Sequence, residues 1–380
     1  MSVVRIVCYV IKTRCRESAS PTGEDGGVFL AWINEVRRIK LLRVTAVGFF
    51  SIALVTGAIL LLVHRGSGFP GTAGDSAARA PQSRGTAAKN PAWPYVRFSV
   101  VHNVLPQGLV GVSLSIHNGG LFAAGGYSGV QSVTDVRQVF PRQRLLAQLT
   151  IPTHDAASSW IGANLYLFGG GQATSYDTIV QVKPPGAAVV GQLAMPLSDA
   201  GMTPYAGGAL LIGGHNGNAF ADGAVLYTRA GPALRAKALF RLPVGLRYAG
   251  VAVSGKQLWI LGGRTRSGMS REIYHYAPGF KRAEAVGRLP IAIDKAAAWA
   301  VPGYVLIAGG QTLAGVPQKT VYAFNELTRQ VRVVGSLPSP MADMGYASDA
   351  RGTYLVGGAT AANLAELSRN LMVIYTTWFR

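Results

Sequence analysis

Six short apolar runs in this 380-residue chain each end in a pair of glycines. The first glycines of successive pairs lie 44, 44, 49, 47 and 48 residues apart, and a proline precedes each pair by 17 or 19 residues. The pairs are Gly125-Gly126, Gly169-Gly170, Gly213-Gly214, Gly262-Gly263, Gly309-Gly310 and Gly357-Gly358, and the prolines are Pro106, Pro152, Pro196, Pro243, Pro290 and Pro338. A repeat of this length that contains four short strands is typical of a β-propeller blade. We therefore predict an all-β fold with six blades.

The two ends of the repeat region predict how the ring of blades closes. The last unit ends after its third strand, Leu371–Trp378, whereas residues 97–102 look like a fourth strand that precedes the first unit. Pairing these two segments would complete the sixth blade and cover both exposed strand edges. We also expect the glycine pairs to lie where neighbouring blades approach closely, because glycine accepts positive φ and has no side chain to clash.

The phased Leu-Pro, the apolar strand that closes on Gly-Gly and a later tyrosine together resemble the kelch repeat. Tyr227, Tyr276 and Tyr322 follow their glycine pairs by 12 or 13 residues, as that pattern requires. Two features differ: the usual tryptophan after the tyrosine is missing, and the first two units have Phe140 and Val182 near the tyrosine position. The resemblance covers residues 96–380 and implies a six-bladed kelch propeller.

A second region, before the repeats, predicts attachment to a membrane. Residues 44–63 are twenty residues without a charge, which is long enough to span a bilayer as a helix. Lys and Arg are concentrated before this segment, so the positive-inside rule leaves the N-terminus in the cytoplasm and the C-terminal bulk outside, in the periplasm or at the cell surface. The alternative is a cleaved signal peptide, whose apolar region is usually shorter.

These boundaries divide the chain into four regions. We predict a cytoplasmic tail at residues 1–43, a single-pass signal-anchor helix at 44–63, a flexible stalk rich in Gly, Ala, Pro and Ser at 64–94, and the propeller at 95–380. The stalk composition cannot bury a hydrophobic core.

Composition excludes several kinds of chemistry. The only cysteines are Cys8 and Cys15, so the propeller cannot use a thiol as a nucleophile, metal ligand or redox group. The net charge of +19 invites a nucleic-acid interpretation, but the chain has no dense Lys/Arg tract and no nucleic-acid-binding motif, so we expect no such partner. His215 has no second histidine at ligand spacing, and we predict neither a metal site nor a cofactor.

Polar residues recur at two positions that should share one rim of the propeller. One set follows each proline closely and the other follows each glycine pair. The first set is Asp155, Asp199, Arg247, Asp294 and Asp343, and the second is Tyr127, Gln172, His215, Asn216, Arg264 and Gln311. The aspartates could instead have a structural role, capping turns or bonding to the backbone of the next blade. As a ligand site, the rim would suit a sugar, a glycan or a peptide terminus.

The sequence favours a binding function over catalysis. It has no nucleophile-elbow, zinc-protease or phosphate-loop motif. We predict a membrane-tethered propeller that binds a protein or glycan outside the cytoplasm. The alternative is a carbohydrate-active enzyme that resembles N-acetylneuraminate epimerase, a six-bladed kelch propeller, although no motif beyond the repeat identifies catalytic residues. Galactose oxidase resembles only the architecture, because the kelch propeller of that family is expected to use a cysteine that is missing here.

Overall fold

The computed structural model describes residues 92–378. The predicted tail, the predicted membrane helix and nearly all of the predicted stalk lie outside these residues. Within residues 92–378, no helix is both long enough and apolar enough to cross a membrane.

The described residues form six antiparallel four-stranded sheets, as the repeat predicts. Blade 1 contains β2 (Ser113–His117), β3 (Gly120–Ala124), β4 (Val133–Phe140) and β5 (Arg144–Thr153). Blade 2 contains β6 (Ala157–Ile161), β7 (Asn164–Phe168), β8 (Thr178–Lys183) and β9 (Gly186–Gln192). Blade 3 contains β10 (Gly201–Tyr205), β11 (Gly208–Ile212), β12 (Gly223–Ala230) and β13 (Ala233–Arg241).

The second half of the ring follows the same plan, with one added hairpin. Blade 4 contains β14 (Gly250–Ser254), β15 (Gln257–Leu261), β18 (Glu272–Tyr276) and β19 (Glu284–Arg288), with the hairpin β16 (Arg264–Thr265) and β17 (Gly268–Met269) between its second and third strands. Blade 5 contains β20 (Asp294–Val301), β21 (Tyr304–Gln311), β22 (Thr320–Asn325) and β23 (Val331–Ser336). Blade 6 contains β24 (Gly345–Asp349), β25 (Gly352–Val356), β26 (Leu371–Trp378) and β1 (Pro94–Val101). A 3-10 turn spans Ala362–Leu364.

The first strand of each blade lines a central channel. These strands contact each other in the order β2, β6, β10, β14, β20 and β24, and β24 contacts β2. The contacts therefore run around a closed ring of six blades, which confirms the predicted number.

Strand β1 closes the ring, as the unpaired segment before the first proline predicted. It pairs with β26 over its whole length, from Pro94 opposite Trp378 to Val101 opposite Leu371. The observed strand begins three residues before the predicted start at Arg97 and ends one residue before the predicted end at His102. Among the residues that the structure describes, the pairing of β1 with β26 gives the sixth sheet its fourth strand.

The hydrophobic core lies between blades rather than in one central mass. Each of six buried clusters is built from two adjacent sheets. Trp259 of blade 4, for example, packs against Phe324 of blade 5 with ring centroids 5.4 Å apart. The blades are therefore held together by face-to-face packing of neighbouring sheets.

The glycine pairs lie at the junctions between blades. All twelve glycines have positive φ. A Cβ on Gly169 would lie 2.0 Å from the carbonyl oxygen of Leu197, which accepts a hydrogen bond from the N–H of Gly170 at 2.8 Å. The same bond recurs at all six junctions. A side chain at the first glycine would therefore displace the loop that leads into the next blade.

Candidate functional site

Six equivalent residues form a closed ring of backbone hydrogen bonds around one end of the channel. Five of the residues lie just before the first strand of their blade, and the one in blade 5 is the second residue of that strand. The N–H of each donates to the carbonyl oxygen of the equivalent residue in the preceding blade over 2.8–3.0 Å. The six residues, called the mouth ring below, are Gly111, Asp155, Asp199, Tyr248, Lys295 and Asp343. The bond from Gly111 to Asp343 closes the circle at 2.9 Å.

All six mouth-ring residues share the left-handed backbone conformation. Their φ angles lie between 53° and 61°. Glycine adopts this region freely and Asp tolerates it, whereas it is uncommon for Tyr or Lys. In this conformation the N–H of each residue points to the preceding member of the ring and its C=O points to the next. The backbone conformation therefore explains in part why three of the six positions are Asp. The side chains remain available for other interactions.

The mouth-ring carboxylates pair mainly with cations on other blades. Lys295 forms an ion pair with Asp343, and Arg247 donates from Nη1 to Oδ2 of Asp199 over 3.1 Å. The Asp199 side chain is only 3% exposed, so its ion pair is largely shielded from water. The positive charges therefore offset most of the negative charge expected from three aspartates.

Asp155 is the one mouth-ring carboxyl without a direct ion pair to Lys or Arg. Its Oδ2 accepts a long hydrogen bond of 3.4 Å from the hydroxyl of Tyr248 and lies 3.8 Å from Nε2 of His154. Burial, together with repulsion from Asp343 and Asp199, raises the pKa of Asp155 well above its ordinary value. The side chain is therefore a candidate neutral carboxylic acid, which can both donate and accept hydrogen bonds.

Glycine in blade 1 makes room for this carboxyl group. A Cβ at Gly111 would lie 2.5 Å from Oδ1 of Asp155. Gly111 therefore serves both the backbone turn and the space that the neighbouring side chain fills.

Other protonation states at the mouth follow from the same environment. Burial opposes the charge of Lys295, but attraction to Asp343 and Asp155 outweighs burial and raises the lysine pKa. Burial and the three nearby aspartates raise the pKa of Tyr248 well above its ordinary value. Burial lowers the pKa of His154, which favours the neutral imidazole. The mouth thus holds fixed cationic and phenolic donors beside carboxylate acceptors.

Two residues of the first predicted set, those that follow the prolines, do not belong to the mouth ring. Arg247 and Asp294 each lie one position earlier, and Tyr248 and Lys295 occupy the equivalent ring positions. The Asp294 side chain is fully buried and accepts a hydrogen bond from Nε of Arg264 over 2.7 Å. It is an internal ion-pair partner, whereas Arg247 still reaches the mouth through its bond to Asp199.

The residues predicted after the glycine pairs lie farther from the ring and differ in their contacts. Exposed Gln172 donates from Nε2 to the carbonyl of Pro152, and Asn216 accepts bonds from the backbone of its own turn. His215 lies 3.4 Å from Nη1 of Arg247, and burial and this charge lower its pKa. Gln311 pairs with Asp294 across the β20–β21 ladder. Tyr127 donates its hydroxyl to Gly129 within the same loop.

Three mouth-ring residues were not predicted from the sequence: Gly111, Tyr248 and Lys295. A sequence signal for them exists, because every mouth-ring residue lies 14 positions before the first glycine of its pair. Arg247 and Asp294 lie 15 residues before the first glycine of their pair, and they were selected instead because they are charged and a spacing of 14 or 15 residues was accepted. Strict phase along the repeat was the better criterion.

The cavity behind the mouth ring is small and ends at a tyrosine. Its volume is about 120 Å³, and all six ring residues line it together with Tyr346. Tyr346 crosses the channel from β24 in blade 6 to β14 in blade 4, where its hydroxyl accepts from the N–H of Val251 at 2.8 Å. Within residues 92–378, no cluster of three or more His, Cys, Asp or Glu side chains is arranged to hold a metal ion.

Comparisons with known proteins support the fold. No protein-family model matches the chain, and no curated protein matches it. A solved structure described as "Structure of YjhT" is 14% identical, with a TM-score of 0.62 over 72% of this chain and 99% of that chain. At this identity, the similarity concerns the propeller fold alone.

Proposed function

We propose that this chain is a membrane-tethered propeller of the kelch kind that binds a protein or glycan outside the cytoplasm through the mouth ring and its ion-paired neighbours. The observation that carries the proposal is the ring itself, which brings acidic, basic and phenolic side chains from five blades to one channel opening. The phased glycine pairs and their bonds between blades support the kelch assignment.

The charge balance of the mouth indicates which ligands fit. Asp199 and Asp343 already have cationic partners, so a strongly charged ligand would have to displace an existing ion pair. A hydroxyl-rich glycan or a zwitterionic peptide terminus can instead bond to donors and acceptors together. The cavity of about 120 Å³ is smaller than the pockets that enclose typical small ligands. The mouth therefore recognises an edge or an end of its ligand.

Ligand binding can be measured with the full-length protein purified in mild detergent. We expect binding to a restricted set of glycans on an array, or recovery of one protein from a cross-linked extracytoplasmic extract. Asp343→Asn should weaken that binding, whereas substitution of exposed Lys237 on the outer strand β13 should not. Equal binding by the Asp343→Asn variant would contradict recognition at the mouth.

The proposed tether rests on the apolar segment at residues 44–63 and on the cationic flank before it. Protease added to intact cells, or to spheroplasts if the cells have an outer membrane, should remove a tag placed after Arg380 and spare a tag placed before Met1. The reverse pattern of protection would overturn the orientation.

A carbohydrate-active enzyme is the second candidate, and Asp155 is the residue that favours it. A carboxyl group with a raised pKa, next to the Tyr248 hydroxyl and His154, is suited to general acid–base catalysis. NMR of freshly dissolved N-acetylneuraminate tests this alternative. Accelerated interconversion of its anomers that is lost in Asp155→Ala would favour the enzyme, and an unchanged rate with wild-type protein would exclude this reaction.

A further inference from the structure

A second cavity occupies the opposite end of the channel. Its volume is about 650 Å³, and the first strands of all six blades line it. Pockets that hold small molecules usually measure about 300–1,000 Å³, so this cavity is large enough to enclose one and the mouth is not.

Tyr346 lies where the two cavities meet and lines both of them, as do Leu114, Ser158 and Met202. Its hydroxyl bonds to the N–H and C=O groups of Val251, which lie on the otherwise unpaired edge of β14. Burial raises the pKa of Tyr346 to about 12, so the hydroxyl keeps its proton.

One wall of the larger cavity contains polar groups without partners. Within residues 92–378, Ser115 Oγ, Ser158 Oγ and Trp160 Nε1 are buried and make no hydrogen bond. These residues belong to blades 1 and 2 and all line the cavity. Leaving such a group unsatisfied costs about 1–3 kcal/mol. Because these three atoms have almost no accessible surface, a ligand recovers that cost when the side chain turns its hydrogen toward the cavity. All three groups can act as donors.

The facing wall is apolar and holds no charge. Blades 4 and 5 contribute Val253, Ala298 and Ala300 to the lining. On blade 1, His117 stacks on Trp160 with ring centroids 4.1 Å apart. The one acid in the lining, Asp349, is already bonded to Arg351. The chemistry of the walls excludes a charged ligand and favours an apolar body with an accepting group.

We propose that this second cavity binds an uncharged small molecule that has a flat apolar body and a carbonyl-type hydrogen-bond acceptor. The acceptor lies toward Ser115, Ser158 and Trp160, and the apolar body packs against blades 4 and 5. The lining of this site contains none of the six mouth-ring residues, and the proposal does not depend on the function proposed for them.

Nile red, an uncharged aromatic dye with a carbonyl group, is a suitable probe. The titration uses a fragment of residues 92–380 without detergent, because the six four-stranded sheets that the structure describes lie within residues 92–378. Fluorescence titration should show saturable binding of one dye per propeller. Ala300→Trp should abolish binding by filling the cavity, and Ala347→Leu on blade 6 serves the same purpose if the tryptophan prevents folding.

Ser158→Ala provides a test that general damage to the fold cannot imitate. It should weaken Nile red binding by about 3–10-fold, the value of one hydrogen bond, while the melting temperature of the free protein stays equal or rises. The mouth variant Asp343→Asn should bind the dye as wild type does. Absence of saturable binding by wild type, or undiminished binding by the folded cavity-filling variant, would overturn the proposal.

Discussion

At the mouth of the channel, residues with very different side chains adopt one backbone conformation. The left-handed conformation costs non-glycine residues roughly 1–2 kcal/mol. Tyr248 and Lys295 bear that cost at φ 56° and 57°. The hydrogen bonds of the ring help to hold them there, and Lys295 additionally gains the ion pair with Asp343. Side-chain identity at these positions is thus set by contacts between blades as well as by backbone preference.

Substitution of Gly111 by Ala tests the crowding within the mouth ring. The new Cβ would clash with Asp155, and we expect Gly111→Ala to lower the free energy of unfolding by roughly 2–4 kcal/mol through strain and overpacking. Gly231→Ala is the matched control, because Gly231 has φ 64° but open space around its Cβ position. It should lose only about 1 kcal/mol. Equal losses in urea unfolding would show that the clash is absent.

The protonation of Asp155 predicts how stability depends on pH. Its folded pKa lies above the ordinary value of 3.8, so the folded protein retains a proton that the unfolded chain releases. Wild type should therefore lose stability relative to Asp155→Asn as the pH rises above about 3.8 and until the folded carboxyl ionises. Melting temperatures of both proteins between pH 3 and pH 8 measure this difference. A relative gain for wild type over that range would mean that the carboxylate is the favoured form.

At the scale of elements, the ring depends on a strand that precedes all six repeats. Strand β1 completes blade 6, and its Val96, Phe98 and Val100 pack against the cluster between blades 5 and 6. Without β1, the outer edge of β26 would be open and these side chains would no longer cover that cluster.

Removal of β1 should therefore destabilise the whole propeller. A fragment of residues 106–380 should unfold at lower temperature than residues 92–380, with a loss of about 3 kcal/mol or more from the three apolar side chains of β1 and from the buried Val104 and Leu105 that follow it. A peptide of residues 92–104 added to the shorter fragment should restore part of the difference. Equal melting curves for the two fragments would show that the ring does not need this strand.

At the scale of the whole molecule, the six blades could be predicted from the sequence because each blade repeats a glycine pair and a proline at a nearly constant spacing. These residues constrain the backbone at the position where they stand. The glycine pairs mark the junctions between blades, where a side chain would clash with a carbonyl oxygen. The unpaired segment before the first proline predicted how the ring closes. The partners of side chains across the mouth were harder to predict. Lys295 of blade 5 forms an ion pair with Asp343 of blade 6. The hydroxyl of Tyr346 in blade 6 accepts a hydrogen bond from the N–H of Val251 in blade 4. Such contacts depend on the diameter of the channel and on side-chain length, which no repeat spacing contains.

The central claim is that the arrangement of donors and acceptors at the mouth ring recognises the ligand. The double variant Lys295→Asp/Asp343→Lys exchanges an amine and a carboxylate while keeping an ion pair and the net charge. Its binding to the glycan or protein found with wild type is the most direct measurement. We predict that the variant melts within a few degrees of wild type and loses that binding. Binding equal to wild type by the folded double variant would contradict the claim.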